Sequence, residues 1–263
     1  AEGNYSTAVG RQSEAVGEAS TAMGSGAYAG GDFSTAIGRA SSAAGLSSTA
    51  LGTNANAYGD NSVAVGREAS AQSVNSIASG NGSYVAATGT LGYYGGYAPA
   101  ATQGIAIGNG ASVTGVNGAA VGVNASASGV YSSAFGSSSN AGGAYSTALG
   151  DSANASGNFT TAVGRNAHAT ATSANALGYN AQATGYFSNA LGTDSVASGY
   201  ASTAVGQQAY ATGPRSTALG LAANASGYES TALGSLATAS GKYTTEVGAG
   251  ARATGQFDTA VGN

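Results

Sequence analysis

The 263-residue chain contains no cysteine and no tryptophan, and it has only two prolines and one histidine. The absence of cysteine excludes a disulfide framework and thiolate chemistry, and it suits a chain that crosses membranes unfolded. Charged residues make up only 7% of the chain, and its seven basic side chains form no stripe that would neutralise phosphates, so nucleic acid is not expected as a partner. No run of about 18 apolar residues exists, so no helical membrane span is predicted.

Glycine is abundant, with 45 residues, and 42% of the chain is apolar. Disordered chains are usually charged and poor in apolar residues, so this composition favours a repeat architecture. A pentapeptide of the form Ser-Thr-Ala-aliphatic-Gly recurs with a constant period, first as STAVG ending at Gly10 and next as STAMG ending at Gly24. This marker glycine keeps its phase through Gly262, and Tyr94 occupies the one position where it is missing.

A second glycine column lies half a period after the first, for example at Gly17 and Gly31. Two glycine columns half a period apart indicate two tight turns per repeat, and the segments between them have strand length. The fold class predicted is all-β: a parallel β-solenoid of about nineteen 14-residue coils with two short strands each. We expect one domain over 1–263, with regular coils at 1–80 and 109–263 and two irregular, in-phase coils at 81–108.

Alternation along the pentapeptide strand divides its side chains between two faces. The aliphatic residue and the threonine are predicted to face inward, together with two alanines of the second strand, such as Ala55 and Ala57. This interior buries few apolar side chains compared with the number of residues that each coil must order, so a second buried surface is expected. The serine and alanine face, which Glu246 alone interrupts with a charge, is the predicted trimer interface, with residues Ser34, Ala36, Ser48, Ala50, Ser146, Ala148, Ser202, Ala204, Ser216 and Ala218.

Catalytic and metal-binding patterns are not found in the sequence. His168 lies in an outward column of variable residues, where a solvated side chain is the expected role. The acids share no recurring spacing, so neither the paired carboxylates of a glycosidase nor a calcium-binding repeat is predicted. We therefore expect no enzyme activity, metal, cofactor or small-molecule substrate; a surface-degrading solenoid enzyme is disfavoured for the same reason.

Arginine and aromatic residues recur at fixed positions of the repeat. Four arginines directly follow the marker glycine, as solvated turn residues or as partners of acids such as Asp32 or Asp60 in intersubunit ion pairs: Arg11, Arg39, Arg67 and Arg165. Aromatic residues five positions before the marker are predicted to pack over the turn: Tyr5, Phe33, Tyr131, Tyr145, Phe159, Phe187, Tyr243 and Phe257. The irregular stretch holds a tyrosine cluster that is either a ligand contact or a local packing plug: Tyr84, Tyr93, Tyr94 and Tyr97.

The repeats NSVAVG at Asn61–Gly66, STAIG and STALG resemble the YadA-like head repeats of trimeric autotransporter adhesins, over nearly the whole chain. The resemblance implies a left-handed β-roll and a homotrimer. It also implies a head on the outer membrane of a Gram-negative bacterium that binds host matrix proteins, other cells or abiotic surfaces by multivalent contacts. Such heads sit on stalks with a membrane anchor, and neither pattern is found here, so we expect a fragment of a longer protein.

The threonine column supports an alternative from another class, an ice-binding solenoid. A flat, outward array of threonines would be its active face, whereas alternation places them with the aliphatic residues, which are predicted to point inward. The column contains Thr7, Thr21, Thr35, Thr49, Thr147, Thr161, Thr203, Thr217, Thr231, Thr245 and Thr259.

Overall fold

The computed structural model describes residues 1–86 and 103–262. Within these residues all regular secondary structure is β-strand, and no helix there is long and apolar enough to cross a membrane. Strands of three residues alternate with strands of two residues along the chain. The chain divides into two compact units, Ala1–Ser138 and Ser139–Asn263.

The first unit contains strands β1 to β17, in which odd numbers are three-residue strands and even numbers are two-residue strands. Their bounds are β1 Thr7–Val9, β2 Glu14–Ala15, β3 Thr21–Met23, β4 Tyr28–Ala29, β5 Thr35–Ile37, β6 Ser42–Ala43, β7 Thr49–Leu51, β8 Asn56–Ala57, β9 Val63–Val65, β10 Ser70–Ala71, β11 Ile77–Ser79, β12 Tyr84–Val85, β13 Ile105–Ile107, β14 Ser112–Val113, β15 Ala119–Val121, β16 Ser126–Ala127 and β17 Ser133–Phe135.

The second unit contains strands β18 to β35 with the same alternation. Their bounds are β18 Asn140–Ala141, β19 Thr147–Leu149, β20 Asn154–Ala155, β21 Thr161–Val163, β22 His168–Ala169, β23 Asn175–Leu177, β24 Gln182–Ala183, β25 Asn189–Leu191, β26 Val196–Ala197, β27 Thr203–Val205, β28 Tyr210–Ala211, β29 Thr217–Leu219, β30 Asn224–Ala225, β31 Thr231–Leu233, β32 Thr238–Ala239, β33 Thr245–Val247, β34 Arg252–Ala253 and β35 Thr259–Val261.

Glycine is needed at both turns of a coil, for different reasons. Gly10 has a φ of 132°, and a Cβ there would lie 2.6 Å from the carbonyl oxygen of Gly24 in the next coil. At Gly17 no unusual φ is involved, but a Cβ would overlap the carbonyl oxygen of Gly31. The two glycine columns therefore let successive turns stack backbone on backbone, as their spacing predicted.

Within each unit, strands pair in parallel with the equivalent strands of the next coil, in strict register. Thr35 lies opposite Thr49, and the alanines and aliphatic residues that follow them are paired in the same way. The two-residue strands form a second ladder with the same offset. Like residues are thus stacked in columns at the strand spacing of about 4.8 Å, which confirms the predicted parallel β-solenoid.

The ladder passes over one repeat in the irregular stretch. Strand β11 pairs directly with β13, so that Ile77 lies opposite Ile105, two periods later in the sequence. Strand β12 pairs with β14 across the same interval. Of the described residues in 81–108, the strands in the ladder are β12 and β13, one pair where the period predicted two. The described residues contain eighteen three-residue strands, against the prediction of about nineteen coils.

The interior of each roll is made of alanine and serine. The central alanine of a three-residue strand is fully buried, as at Ala36 and Ala204, and so is the serine that precedes the strand, as at Ser202. Ala55 and Ala57 from the second strand type complete this core, as predicted. The aliphatic residue points outward instead, and Ile37 is 41% exposed.

The predicted trimer interface is therefore wrong, because it is the core of the roll. Its ten residues are at most 1% exposed in a single chain and have no surface to offer another copy: Ser34, Ala36, Ser48, Ala50, Ser146, Ala148, Ser202, Ala204, Ser216 and Ala218. The physical reason is the narrow cross-section, since two short strands joined by tight turns leave room for methyl and hydroxymethyl groups only. Some of the buried hydroxyls bond within the turn, and Ser146 donates to the carbonyl of Gly143 at 2.6 Å.

Candidate interaction surfaces

The first surface is the outward side of the three-residue strands, here called the aliphatic face. Each strand presents its first and third residues there, in most coils a threonine and an aliphatic residue. Leu149 is 48% exposed and Leu219 41% exposed. In the first unit the aliphatic face holds Val9, Met23, Ile37, Leu51, Val65, Ile107, Val121 and Phe135, and in the second Leu149, Val163, Leu177, Leu191, Val205, Leu219, Leu233, Val247 and Val261.

A long column of half-exposed apolar side chains, interrupted among the described strands only at Ser79, is unusual on a soluble protein surface. Large apolar patches generally mark interaction sites. Parallel register stacks these side chains on each other, so each unit presents an apolar strip rather than scattered residues. This face can bury further apolar area only against another molecule.

The second surface is the turn that follows the two-residue strand in the second unit, here called the aromatic turn row. It contains rings one or two positions after the glycine, most of them exposed: Tyr145, Phe159, Tyr186, Phe187, Tyr200, Tyr228, Tyr243 and Phe257. The rings contact one another between coils. Phe187 meets Tyr200 edge to face at 5.8 Å between centroids, and Tyr243 stacks on Phe257 at 5.2 Å.

Charged side chains in the aromatic turn row are held inside it. The Lys242 ammonium lies 5.2 Å from the ring centre of Tyr228 and 5.0 Å from that of Tyr243. The Arg215 guanidinium lies 2.8 Å from the Glu229 carboxylate. The hydrogen bond from Arg215 lowers the pKa of Glu229, and the same bond raises the pKa of Arg215.

Glu246 is the one acid buried in the alanine core of the described residues. It occupies the centre of β33, opposite Ala232 and Ala260, and it is 0% exposed. Neither carboxylate oxygen has a hydrogen-bond partner. Burial therefore raises the pKa of Glu246, since the charged form loses its hydration and gains nothing in return.

The repeat pattern of this chain matches a known family model. The model of the YadA head domain repeat (2 copies) matches residues 1–27, 15–41, 29–55, 43–69, 57–83, 100–125, 114–139, 141–167, 169–195, 197–223 and 225–245. The chain belongs to the YadA head domain family.

A structure search also finds a similar solved chain, the collagen-binding domain of the Yersinia adhesin YadA. The sequence identity is 33%, the match covers 52% of this chain and 69% of that one, and the TM-score is 0.41. No curated protein matches this chain.

Only one tyrosine of the predicted cluster lies among the described residues. Tyr84 is half-buried on the two-residue strand β12, and its hydroxyl lies 3.4 Å from the Gln72 side-chain oxygen. Tyr93, Tyr94 and Tyr97 lie outside the described residues. Their role as ligand contacts stays a prediction.

The other predicted polar positions of the head are turn and surface residues. His168 is half-buried on the two-residue strand β22, with a ring nitrogen 3.3 Å from the side-chain oxygen of Asn166. Arg165 lies 3.7 Å from Asp151 and over the ring of Tyr179, and both charged partners are more than half exposed. Within residues 1–86 and 103–262, no group of three or more His, Cys, Asp or Glu is placed to hold a metal.

The aromatic turn row was not predicted as a unit. The aromatic column was identified, but its neighbours one position earlier, Tyr186, Tyr200 and Tyr228, were not connected to it. The signal was available in the sequence, because these tyrosines are separated by one or two whole periods.

Proposed function

We propose that this chain is the adhesion head of a trimeric surface protein, and that three copies pack through their aliphatic faces. The observation that carries the proposal is the aliphatic face, which is uncovered in a single chain; it is unbroken in the second unit and interrupted in the described part of the first only at Ser79, where Ile77 of the same strand is still apolar. Membership of the YadA head family supports the trimer. This arrangement replaces the serine and alanine interface, which is buried inside the roll.

The geometry of one coil is consistent with this assembly. The two strand types lie on opposite sides of the narrow core, so a contact through the aliphatic face leaves the two-residue strands and the turns free. A closed, symmetric ring of copies buries each apolar strip without leaving an open end of the assembly. The free side then presents the same groups many times, and weak contacts add up to high avidity.

We infer that the head acts at the outer surface of a Gram-negative bacterium and has no enzymatic activity. Its ligands in this proposal are host matrix proteins, other cells or abiotic surfaces. The low charge and the repeated outer side chains fit a binding mode made of many equivalent, shallow contacts.

The assembly is tested by sedimentation equilibrium over a wide concentration range. We expect a species with three times the chain mass of 24.7 kDa. The variant Leu219→Lys/Leu233→Lys places charges on the aliphatic face and should dissociate it. The matched control Asn224→Lys places a charge in the same region on the side formed by the two-residue strands, here called the outer side. It should leave the mass unchanged. A wild-type monomer at all concentrations contradicts the trimer.

Adhesion is tested with the same three proteins on surfaces coated with collagen, fibronectin or laminin and on bare polystyrene. The wild type and Asn224→Lys should be retained far longer than the dissociated variant, because avidity needs linked copies. Equal retention of monomer and trimer contradicts a multivalent head.

Ice binding remains a second candidate, because the structure removes the sequence argument against it. The threonine column points outward, with Thr35 opposite Thr49 and Thr21 in strict register. The same face would serve ice or trimer packing, not both. Thermal hysteresis of the wild-type chain at millimolar concentration is therefore the test, because the lysine variant alters this face itself, and its absence rules out this candidate.

A further inference from the structure

The outer side of the second unit carries an unbroken column of exposed hydroxyl groups. One residue directly follows each two-residue strand, and from β22 to β34 it is always serine or threonine. This hydroxyl column contains Thr170, Thr184, Ser198, Thr212, Ser226, Ser240 and Thr254, all exposed. In the first unit the equivalent positions include Val16, Ala44 and Tyr58 instead.

The hydroxyl column is held rigidly by the ladder beneath it. The backbone N–H of Thr184 donates to the carbonyl of Ala197 at 3.0 Å, and that of Ser198 donates to Ala211 at 3.1 Å. The hydroxyls therefore repeat at the strand spacing of about 4.8 Å. A ligand that uses several of them needs a matching repeat along the coil axis.

The aromatic turn row runs directly beside this column. From Thr184 onward only the turn glycine separates the hydroxyl from the turn residue, as in Ser198-Gly199-Tyr200 and Ser226-Gly227-Tyr228. Tyr200 is 51% exposed, and Tyr228 is fixed by an edge-to-face contact with Tyr243 at 5.5 Å. The two rows thus form one composite surface from Thr184 to Phe257.

The chemistry of this surface points to an uncharged, hydroxyl-rich polymer. Aromatic ring faces carry negative charge density and attract the polarised C–H bonds of a sugar ring, while serine and threonine hydroxyls both donate and accept hydrogen bonds. Two of the cations are already engaged, since Arg215 pairs with Glu229 and Lys242 lies over two rings, which leaves exposed Arg252, at one end of the surface, without an ion pair among the described residues. An anionic polymer lying along the axis would require a free cation in successive coils, which this surface does not offer.

The repeat distances also fit. An extended β-linked sugar polymer advances by one pyranose ring per residue, which is on the order of the strand spacing of about 4.8 Å. Sugars can therefore lie over successive coils, with their rings on the aromatic turn row and their hydroxyls at the hydroxyl column. Between Thr184 and Phe257 only the turn after Gly213, with Pro214 and Arg215, lacks a ring.

We propose that the surface from Thr184 to Phe257 binds an extended, uncharged β-linked polysaccharide along the coil axis. This inference rests on the proposed adhesive function, because it names one class of ligand for the side that trimer packing leaves free. It assigns the ligand to the second unit only.

The test titrates β-1,4-linked hexasaccharides of glucose, N-acetylglucosamine and mannose into the trimer. Tyrosine emission reports binding, because the chain has no tryptophan. The variant Tyr200→Ser/Tyr228→Ser removes two rings of the surface. The control Tyr28→Ser/Tyr58→Ser removes two exposed tyrosines from the outer side of the first unit.

We expect at least one hexasaccharide to bind the wild type and the control alike. The Tyr200→Ser/Tyr228→Ser variant should bind it about tenfold more weakly while staying folded and trimeric, because two ring contacts to the sugar are lost. Its melting temperature should fall only slightly, through the lost contacts to Phe187 and Tyr243. No binding of any of the three sugars, or equal weakening in both variants, overturns the inference. Tighter binding of polygalacturonate or of a collagen-like triple-helical peptide also overturns it.

The outcomes separate this inference from the proposed function. A trimer that adheres to coated surfaces but binds none of the sugars leaves the adhesin proposal standing and removes only the polysaccharide. A chain that neither trimerises nor adheres removes both.

Discussion

The two units share one fold but use the same turn differently. Directly after the turn glycine the first unit carries Glu18, Asp32 and Asp60, whereas the second carries Tyr186, Tyr200 and Tyr228. One position later both units carry rings, such as Phe33 and Phe187. The first unit has six acidic and three basic residues, and the second has five and four. The difference is therefore one of acids replaced by rings at an outward position, above the same type of alanine core.

The acidic turns of the first unit link successive coils by hydrogen bonds. An Asp32 oxygen accepts the backbone N–H of Glu18 at 2.8 Å, and an Asp60 oxygen accepts that of Leu46 at 2.9 Å. In the second unit Asn158 accepts one such bond, from the Ala144 N–H at 2.9 Å, and ring contacts such as Tyr243 on Phe257 link other coils. Successive coils can therefore be linked either by side-chain hydrogen bonds or by ring contacts. The residues of this turn can thus vary to suit a ligand without loss of the coil stacking.

The largest expected effect concerns the core that both units share. Ala50→Leu in the first unit and Ala204→Leu in the second should each destabilise the fold by about 3 kcal/mol or prevent folding, because no space exists for the larger side chain. The control Thr203→Leu, on the aliphatic face, should stay within about 0.5 kcal/mol. Thermal unfolding followed by circular dichroism measures all three. A tolerated Ala50→Leu contradicts the assigned interior.

The next effect concerns Glu246, an acid in the core of the second unit. Glu246→Ala should stabilise the folded state at neutral pH by at least about 1 kcal/mol, because an unpartnered buried carboxyl is removed. The folded pKa lies above the ordinary glutamate value of about 4.3, so stability is full below that pH and falls as pH rises toward the folded pKa.

Urea unfolding of the wild type and of Glu246→Ala between pH 4 and 8 measures this dependence. The variant should lose the downward slope. Glu68→Ala, an exposed acid of the first unit, serves as the control and should keep the slope. A wild type whose stability rises over this range contradicts the assignment.

A smaller effect compares the two linking devices directly. Asp32→Ala should cost about 1 kcal/mol, because the Glu18 N–H loses its acceptor, while Asp32→Asn keeps an oxygen there and should be nearly neutral. Tyr243→Ala should cost a similar amount through lost ring contacts, about 1 kcal/mol. High salt should reduce the destabilisation caused by Asp32→Ala and leave that caused by Tyr243→Ala unchanged. Chemical unfolding at low and high salt distinguishes them.

The smallest effect concerns the Arg215–Glu229 pair. Glu229 has a lowered pKa, so the stability it contributes is present above the ordinary glutamate pKa of about 4.3 and is lost as pH falls through the folded pKa. Both groups are exposed, so Arg215→Gln should shift the melting temperature only slightly at low salt. At about 1 M salt the shift should vanish, since the screening length falls to about 3 Å. A shift that persists in salt indicates packing of Arg215 on Tyr228.

Most of the architecture was readable from the sequence. The constant period predicted the coils, and the glycines at Gly10 and Gly17 predicted two turns, because only glycine allows the backbones of stacked turns to touch. Alternation correctly grouped Ala36 on one side and Ile37 on the other. The candidate sites were harder to predict from the sequence. Tyr84 alone of the tyrosine cluster lies in described residues, and the sequence analysis identified only one of the two ring positions that form the aromatic turn row.

The sequence by itself determined the period, the parallel register and the membership of each column. Only the tertiary structure decided which column is the core, because alternation is symmetric and the choice depends on the width of the closed coil. It also decided that the ladder runs from β12 directly to β14, since pairing across two periods preserves the same phase as pairing across one. The narrow roll admits alanine and serine, and it turns the aliphatic residues outward to be covered by another molecule.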